Sequence, residues 1–309
     1  MAYARPRRRR TYRKKASRSR GRKSFRRSRA SSGRTRSRRM PGRSTKSLLN
    51  LTSRKKRDTM LNYTNITASA PTGGLTYLLQ PAILTGGSAV PSFVLWCATA
   101  RPPTVDATRF GTVIDAATRT ASTCYMRGLA ENLEIQVTDG MPWQWRRICF
   151  TYKNMRNAHP PVVDSGFEYG QLTTSGVVRT MNQPTGLLRD DLMGLIFKGA
   201  RGADWQSEMI APLDTTRISV KYDKTLTIAS GNDDGLIRKY KRWHGMNSNL
   251  VYNDDEQGGD VTLDVSFSVS SKPGMGDYFV ADFFQARQGS TTANQLSFGA
   301  TSTLYWHEK

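Results

Sequence analysis

Val261-Thr262-Leu263-Asp264-Val265-Ser266-Phe267-Ser268-Val269 alternates apolar and polar residues without a break. A period of two places Val261, Leu263, Val265, Phe267 and Val269 on one side of an extended chain and the polar groups on the other. That pattern predicts a strand with one buried face. The same parity recurs outward from it. Ile218, Val220, Tyr222, Leu226 and Ile228 share one side of 217–228, interrupted at Lys224, and Leu133, Ile135 and Val137 form another face, as do Ile148, Phe150 and Tyr152. Phe93 to Ala98 is apolar on both parities, which predicts a strand buried on both sides. Further strands are expected at 59–67, 75–80, 236–243, 278–285 and 302–307.

Helical periodicity is sparse. Leu188, Leu192, Leu195 and Ile196 fall at i, i+4, i+7 and i+8, with Asp190 and Asp191 near the start, so one short helix is expected there. No repeat of 20–50 residues is evident, which argues against a propeller or solenoid. About eight to ten strands joined by Gly/Pro/Asn-rich loops predict an all-β sandwich. The loops at 99–122 and 153–176 are long, and long loops on a rigid β frame commonly carry contacts.

Charge divides the chain in two. The protein has 309 residues, 47 Lys+Arg and 24 Asp+Glu, a formal charge of +23. Residues 1–57 hold 25 of the basic groups and no acid, while the remaining 252 carry 22 basic and 24 acidic groups. Only 12 of the first 57 residues are apolar, too few to offset ordering entropy and self-repulsion. The expectation is a disordered basic arm, 1–57, attached to a near-neutral body, 58–309.

The arm's chemistry suits phosphate. Its candidate contacts are Arg7, Arg8, Arg9, Arg10, Arg13, Lys14, Lys15, Arg18, Arg20, Arg22, Lys23, Arg26, Arg27, Arg36, Arg38 and Arg39. Arginine outnumbers lysine, which favours bidentate pairing with phosphate oxygens. Tyr3, Tyr12 and Phe25 are spaced to stack on exposed bases. Low-complexity Arg/Ser positions a nucleic acid without reading its sequence. No amphipathic apolar face accompanies the charge, so an acidic membrane is the poorer partner. Ser17, Ser19, Ser28 and Ser37 read as solubilising spacers, with phosphorylation as the alternative. Pro6 to Arg10 with Tyr12 to Lys15, and the cluster Arg54-Lys55-Lys56-Arg57, resemble nuclear-import signals.

Several classes are excluded. No run of ~18 apolar residues predicts a transmembrane helix, and the basic N-terminus lacks the apolar stretch of a secretion signal. Cys97, Cys124 and Cys149 are far apart and odd in number, so reduced, packed thiols in an intracellular setting are expected. His159, His244 and His307 stand in no zinc spacing, and no phosphate-binding GxxxxGK[ST] loop exists. No catalytic residue, metal site or cofactor is predicted. Asp233-Asp234 and Asp254-Asp255-Glu256 read as solvated turns, with a divalent-cation site as the alternative. In Met141-Pro142-Trp143-Gln144-Trp145-Arg146-Arg147 the two tryptophans share a strand face. Core packing is the default for such rings; an interface or base-stacking platform, with Arg146 or Arg147 on phosphate, is the alternative.

Met1-Ala2-Tyr3 followed by arginine runs, the junction Thr52 to Met60, and Pro142-Trp143-Gln144-Trp145-Arg146-Arg147-Ile148-Cys149-Phe150 resemble the capsid protein of genomoviruses (gemycircularvirus type) across essentially the whole chain. Arg238-Lys239-Tyr240-Lys241-Arg242-Trp243, then Val251-Tyr252-Asn253-Asp254 and Thr303-Leu304-Tyr305-Trp306, are similar in layout to part of the geminivirus coat protein. Unlike that pattern, the chain has no Cys/His zinc-finger-like spacing near its arm.

The resemblance implies a single jelly roll, an eight-stranded antiparallel β-sandwich. It also implies a homo-oligomeric shell in a virion, a small isometric particle around a circular single-stranded DNA genome. Assembly in a host nucleus, with import receptors as further partners, completes the expectation. About sixty copies closing a T=1 icosahedron would bring roughly 1,500 positive arm charges, suited to a genome of about a thousand or more nucleotides. An arm of that length reaches roughly 40 Å as a coil and ~190 Å stretched. Two other classes compete: a non-assembling basic-tailed RNA- or DNA-binding protein, and a nuclease using Asp254 and Asp255.

Overall fold

The structure is a computed structural model and describes residues 44–106, 109–256, 258 and 265–309. Arm residues 1–43, and with them all sixteen candidate phosphate contacts, lie outside the described residues, as do 261–264 of the alternating stretch.

Antiparallel β-structure dominates. In chain order the elements are α1 (Thr45–Thr52), β1 (Arg54–Met60), β2 (Asn62–Thr64), β3 (Ala82–Thr85), β4 (Ser92–Cys97), β5 (Thr123–Val137), β6 (Trp143–Tyr152), α2 (Met155–Ala158), β7 (Gln171–Thr173), β8 (Gly176–Met181), α3 (Gly186–Ile196), β9 (Ser219–Ile228), β10 (Leu236–Val251), β11 (Asp277–Ala286) and β12 (Gln295–Glu308). One sheet runs β1-β12-β5-β10, with β3 also paired to β12, and a second runs β4-β11-β6-β9. A small third sheet, β2-β8-β7, contains the parallel pair β2–β8.

The two large sheets share a core, as period-two burial requires. Leu133, Ile135, Phe298 and Ala300 of the first sheet join Val94, Trp145 and Phe284 of the second in one buried cluster. Leu129, Leu304 and Trp306 join Trp96, Cys149 and Val280 in another. The opposite face of the second sheet is also buried. Phe93, Phe150, Ala281 and Phe283 pack there beneath Leu188, Leu192, Leu195 and Ile196 of α3. This double burial explains why β4 and β11 are apolar on both parities. All three cysteines are free and buried.

Several expectations need correction. The alternating stretch 261–269 forms no strand over its described part. Residues 265–269 are irregular apart from a bridge between Ser268 and Tyr252. Backbone bonds join Phe267 and Val269 to Asn253 and Val251 around that one bridge, and on its other side the Ser268 amide and hydroxyl donate to the Asp277 carboxylate instead of to a further strand. Segment 75–80 is likewise a loop with one bridge, Leu78 to Thr64. The body begins before residue 58: α1 and β1 occupy the end of the expected arm, and β1 pairs with β12 from Arg54↔Glu308 to Met60↔Ser302. Ladder bonds and a buried ion pair, Lys56 Nζ to Glu308 Oε2 at 3.2 Å, offset the local charge. Among the described residues there are three helices rather than one.

Candidate nucleic-acid interface

β6 delivers Trp143, Trp145 and Arg147 into the space between the sheets and Arg146 to the other side. Both indoles are buried. Arg147 donates from Nε and Nη2 to the two oxygens of Asp282, at 2.7 and 2.8 Å, and from Nη1 to Glu131. Arg179 lies 3.4 Å from Asp282 and 3.7 Å from Glu131, with its guanidinium 4.4 Å from the centre of Trp96. Trp145 Nε1 and Ser302 Oγ donate to the same carboxylates. His244 Nε2 is 3.6 Å from Glu131. Two guanidiniums thus face two carboxylates in a charge-balanced cluster sealed between apolar layers. Burial alone would raise the Glu131 pKa. The adjacent Arg147, with Arg179 and His244, overcomes that and holds it well below the usual carboxylate range.

Arg146 is as fully engaged. It pairs with Asp223 through Nε and Nη2 and donates from Nη1 to the carbonyls of Glu208 and Ala211. Neither tryptophan nor either arginine of this segment is free to meet a base or phosphate.

The basic cluster 54–57 and the acidic cluster 254–256 are also drawn into the fold. In β1, Lys56 is buried while Arg54, Lys55 and Arg57 remain exposed, and the main chain is paired with β12. The cluster is therefore a strand, not a free linear peptide. Asp254 receives Arg119 through both oxygens, and that guanidinium stacks 3.9 Å from the centre of Tyr252. No group of three or more His, Cys, Asp or Glu residues able to hold a metal occurs among the described residues. Nor does any helix among them have the length and apolarity to cross a membrane.

What remains chemically open is the outer face of the β1-β12-β5-β10 sheet. Register places Lys55, Arg57 and Thr59 beside His307, Tyr305 and Thr303 at one flank. Lys239, Lys241 and Trp243 lie opposite Glu134, Asn132 and Ala130 at the other. Trp243 is 56% exposed, the only exposed tryptophan among the described residues. Its ring meets that of Tyr305 at 5.8 Å. Lys239 pairs with Glu134 at 3.1 Å, but Lys55, Arg57 and Lys241 have no carboxylate partner among the described residues. A groove of about 750 Å³ crosses the same face, lined by Asn132, Glu134, Lys239, Lys241 and Thr301. Sequence reading singled out Lys55 and Arg57 only as part of an import-like cluster, and Lys239, Lys241, Trp243 and Tyr305 only within motifs of resemblance, not as one surface. The signal available to it was the exposed parity of β10, where lysines alternate with Tyr240 and Arg242 and end at a tryptophan.

Comparison of the sequence with models of known families and with curated proteins gives no match.

Proposed function

We propose that this chain is a capsid protein whose body is a single jelly roll that tiles into a closed shell, and whose basic N-terminal arm packages single-stranded DNA. The strand order carries the reading. Numbering the eight long-sheet strands β1, β4, β5, β6, β9, β10, β11 and β12 from first to eighth gives orders 1-8-3-6 and 2-7-4-5. That alternation of chain ends and middles is the winding of two Greek keys, an arrangement used by viral shell proteins and also by lectins and cupins.

The charge distribution separates those uses. A near-neutral body can pack against copies of itself without strong mutual repulsion, while 25 cations confined to residues 1–57 suit a polyanion gathered on one side. The charge-balanced cluster inside the sandwich makes β6 a structural element and supports a building role over a catalytic one.

Full-length protein, expressed alone and viewed by negative-stain microscopy before and after nuclease digestion, tests this. Closed particles holding protected DNA are expected. Protein that stays monomeric with nucleic acid at every salt concentration overturns the reading, and small discrete complexes would instead identify a tailed binding protein.

A further inference from the structure

We propose that the outer face of the β1-β12-β5-β10 sheet is itself a binding site for single-stranded DNA, with Trp243 as the base-stacking platform and Lys55, Arg57 and Lys241 as phosphate contacts. The inference rests on the packaging role above but assigns it a second, structured site in the body.

The sheet is built as a trough. Across it, Trp243 pairs with Ala130 and then Thr303, and Gly245 with Gly128 and then Tyr305. One step along, Lys241 pairs with Asn132 and then Thr301. At these levels Gly128, Ala130, Thr301 and Thr303 form a low floor on the two middle strands beside Asn132 and Tyr305, while Lys241 and Trp243 stand on one outer strand and Arg57 on the other. Three strand spacings separate those flanks, about 14 Å, which accommodates one nucleic-acid strand.

Trp243 is held ready rather than left loose. Gly128 lies beneath it, and a Cβ there would come within 2.7 Å of the indole Cζ2. Tyr305 braces the ring from the side. A tryptophan is normally hidden, because its area is the largest apolar payload a side chain carries. One that is braced yet more than half exposed, on a face with three unpaired cations, suits a planar ligand bearing negative charge. Unpaired nucleotides have that chemistry: each base offers a π-face and each link a phosphate. The adjoining groove adds amide and hydroxyl groups from Asn132 and Thr301 within reach of the same strand.

The experiment compares full-length protein with its Trp243→Ala and Trp243→Phe variants. The probes are a 20-nucleotide oligo-dT and an abasic deoxyribose-phosphate oligomer of equal length and charge. The arm's cations should bind both probes through phosphate, so the ratio of the two affinities reports stacking, and its change on replacing Trp243 separates that ring's share from any due to Tyr3, Tyr12 and Phe25. Wild type is expected to favour oligo-dT. Trp243→Ala should shrink that preference by about fivefold to 100-fold, with Trp243→Phe retaining most of it. Replacing Arg57 and Lys241 together by Gln should weaken both probes alike and lower the salt slope by about 1.4. Photo-crosslinking with 5-iododeoxyuridine should label the peptides carrying Trp243 or Tyr305.

An unchanged preference in a Trp243→Ala protein that melts like wild type overturns the proposal, as do crosslinks confined to residues 1–43. If Trp243→Ala instead abolishes particle formation while keeping the preference, the face is an interface between copies and the proposal is wrong. Failure of wild type to bind either probe at low salt would count against packaging itself, a distinct result.

Discussion

Trp143 to Arg147 and Arg238 to Trp243 are the two stretches of the body in which arginine or lysine stands beside tryptophan, and they differ in what flanks them. β6 is an inner strand, with β11 on one side and β9 on the other. Its neighbours bring carboxylates to the same level: Asp282 lies in register with Arg147, and Asp223 with Ile148. Among the described residues β10 is an edge strand with β5 as its one ladder partner, and the outer face beside it carries a single carboxylate, Glu134, already held by Lys239. Composition is nearly the same, yet one stretch is sealed and the other is left open. Strand position and cross-strand carboxylates decide which guanidiniums are structural and which are free for a ligand.

Breaking the inner stretch should have the largest effect. Arg147→Ala leaves Glu131 and Asp282 buried with Arg179 as their one remaining guanidinium, and stranding a buried charge typically costs about 3–5 kcal/mol. Trp145→Ala should cost a similar amount, about 3–5 kcal/mol, by opening a cavity beside Phe284 and Phe298. Denaturant midpoints would measure both. Loss below ~1 kcal/mol for either would mean that the cluster is hydrated or dispensable, and the contrast with β10 would fail.

The junction between arm and body is the next place to test. Deletion of residues 1–43 should leave the melting transition of the body unchanged while abolishing most nucleic-acid packaging. Deletion of 1–57 should lower stability by several kcal/mol, on the order of one lost buried pair and its ladder, because it removes four of the seven residues of β1 and the Lys56–Glu308 pair. Equal melting of the two truncations would return the boundary to residue 57.

That boundary shows what the sequence could and could not reveal. Charge counting places the division at residue 57 because it cannot detect that Lys56 meets Glu308, a partner 252 residues away that only a β1–β12 ladder brings close. Burial on both faces was legible in Phe93 to Ala98, and the helix at Leu188 to Ile196 was legible from its 3.6-residue period. The most regular alternation misled. Over its described half, 265–269, Ser268 gives its amide to Asp277 rather than to a strand. The open face was hidden for a similar reason. Trp243 and Tyr305 lie 62 positions apart and meet only through the register of β10, β5 and β12.

Asp277 sharpens the lesson about paired and unpaired charge. Like Glu131 it is buried, but its partners are the Ser268 amide and hydroxyl and the Thr99 hydroxyl, with no cation. Burial therefore dominates and pushes its pKa up to about 6, with those hydrogen bonds restraining the rise. The sign follows directly. Between pH ~6 and the ordinary carboxylate value the folded chain binds a proton that the unfolded chain does not, so this group makes the protein more stable as pH falls through that window. The expected gain is about 2–3 kcal/mol, flat below it. Glu131 acts oppositely: its stabilisation is present above the ordinary carboxylate pKa and is lost only as pH falls well below it. Asp277→Asn should flatten the stability profile between pH 6 and 4 in denaturant titrations, leaving the Glu131 contribution intact.

The smallest effect should come from the open stretch. Trp243→Ala removes a large ring, but more than half of it faces solvent and its neighbours are Tyr305 and the glycine beneath it. Less than half of the residue's area is covered, and no buried polar group loses a partner. The stability change should therefore stay at about 1–2 kcal/mol once the residual burial of the unfolded chain is discounted, well below that for Trp145→Ala. A loss as large as that of Trp145 would mean that the Trp243 ring holds the edge strand in place, and its exposure would then be incidental to packing rather than available to a base. Equal losses would erase the distinction between the inner strand and the edge.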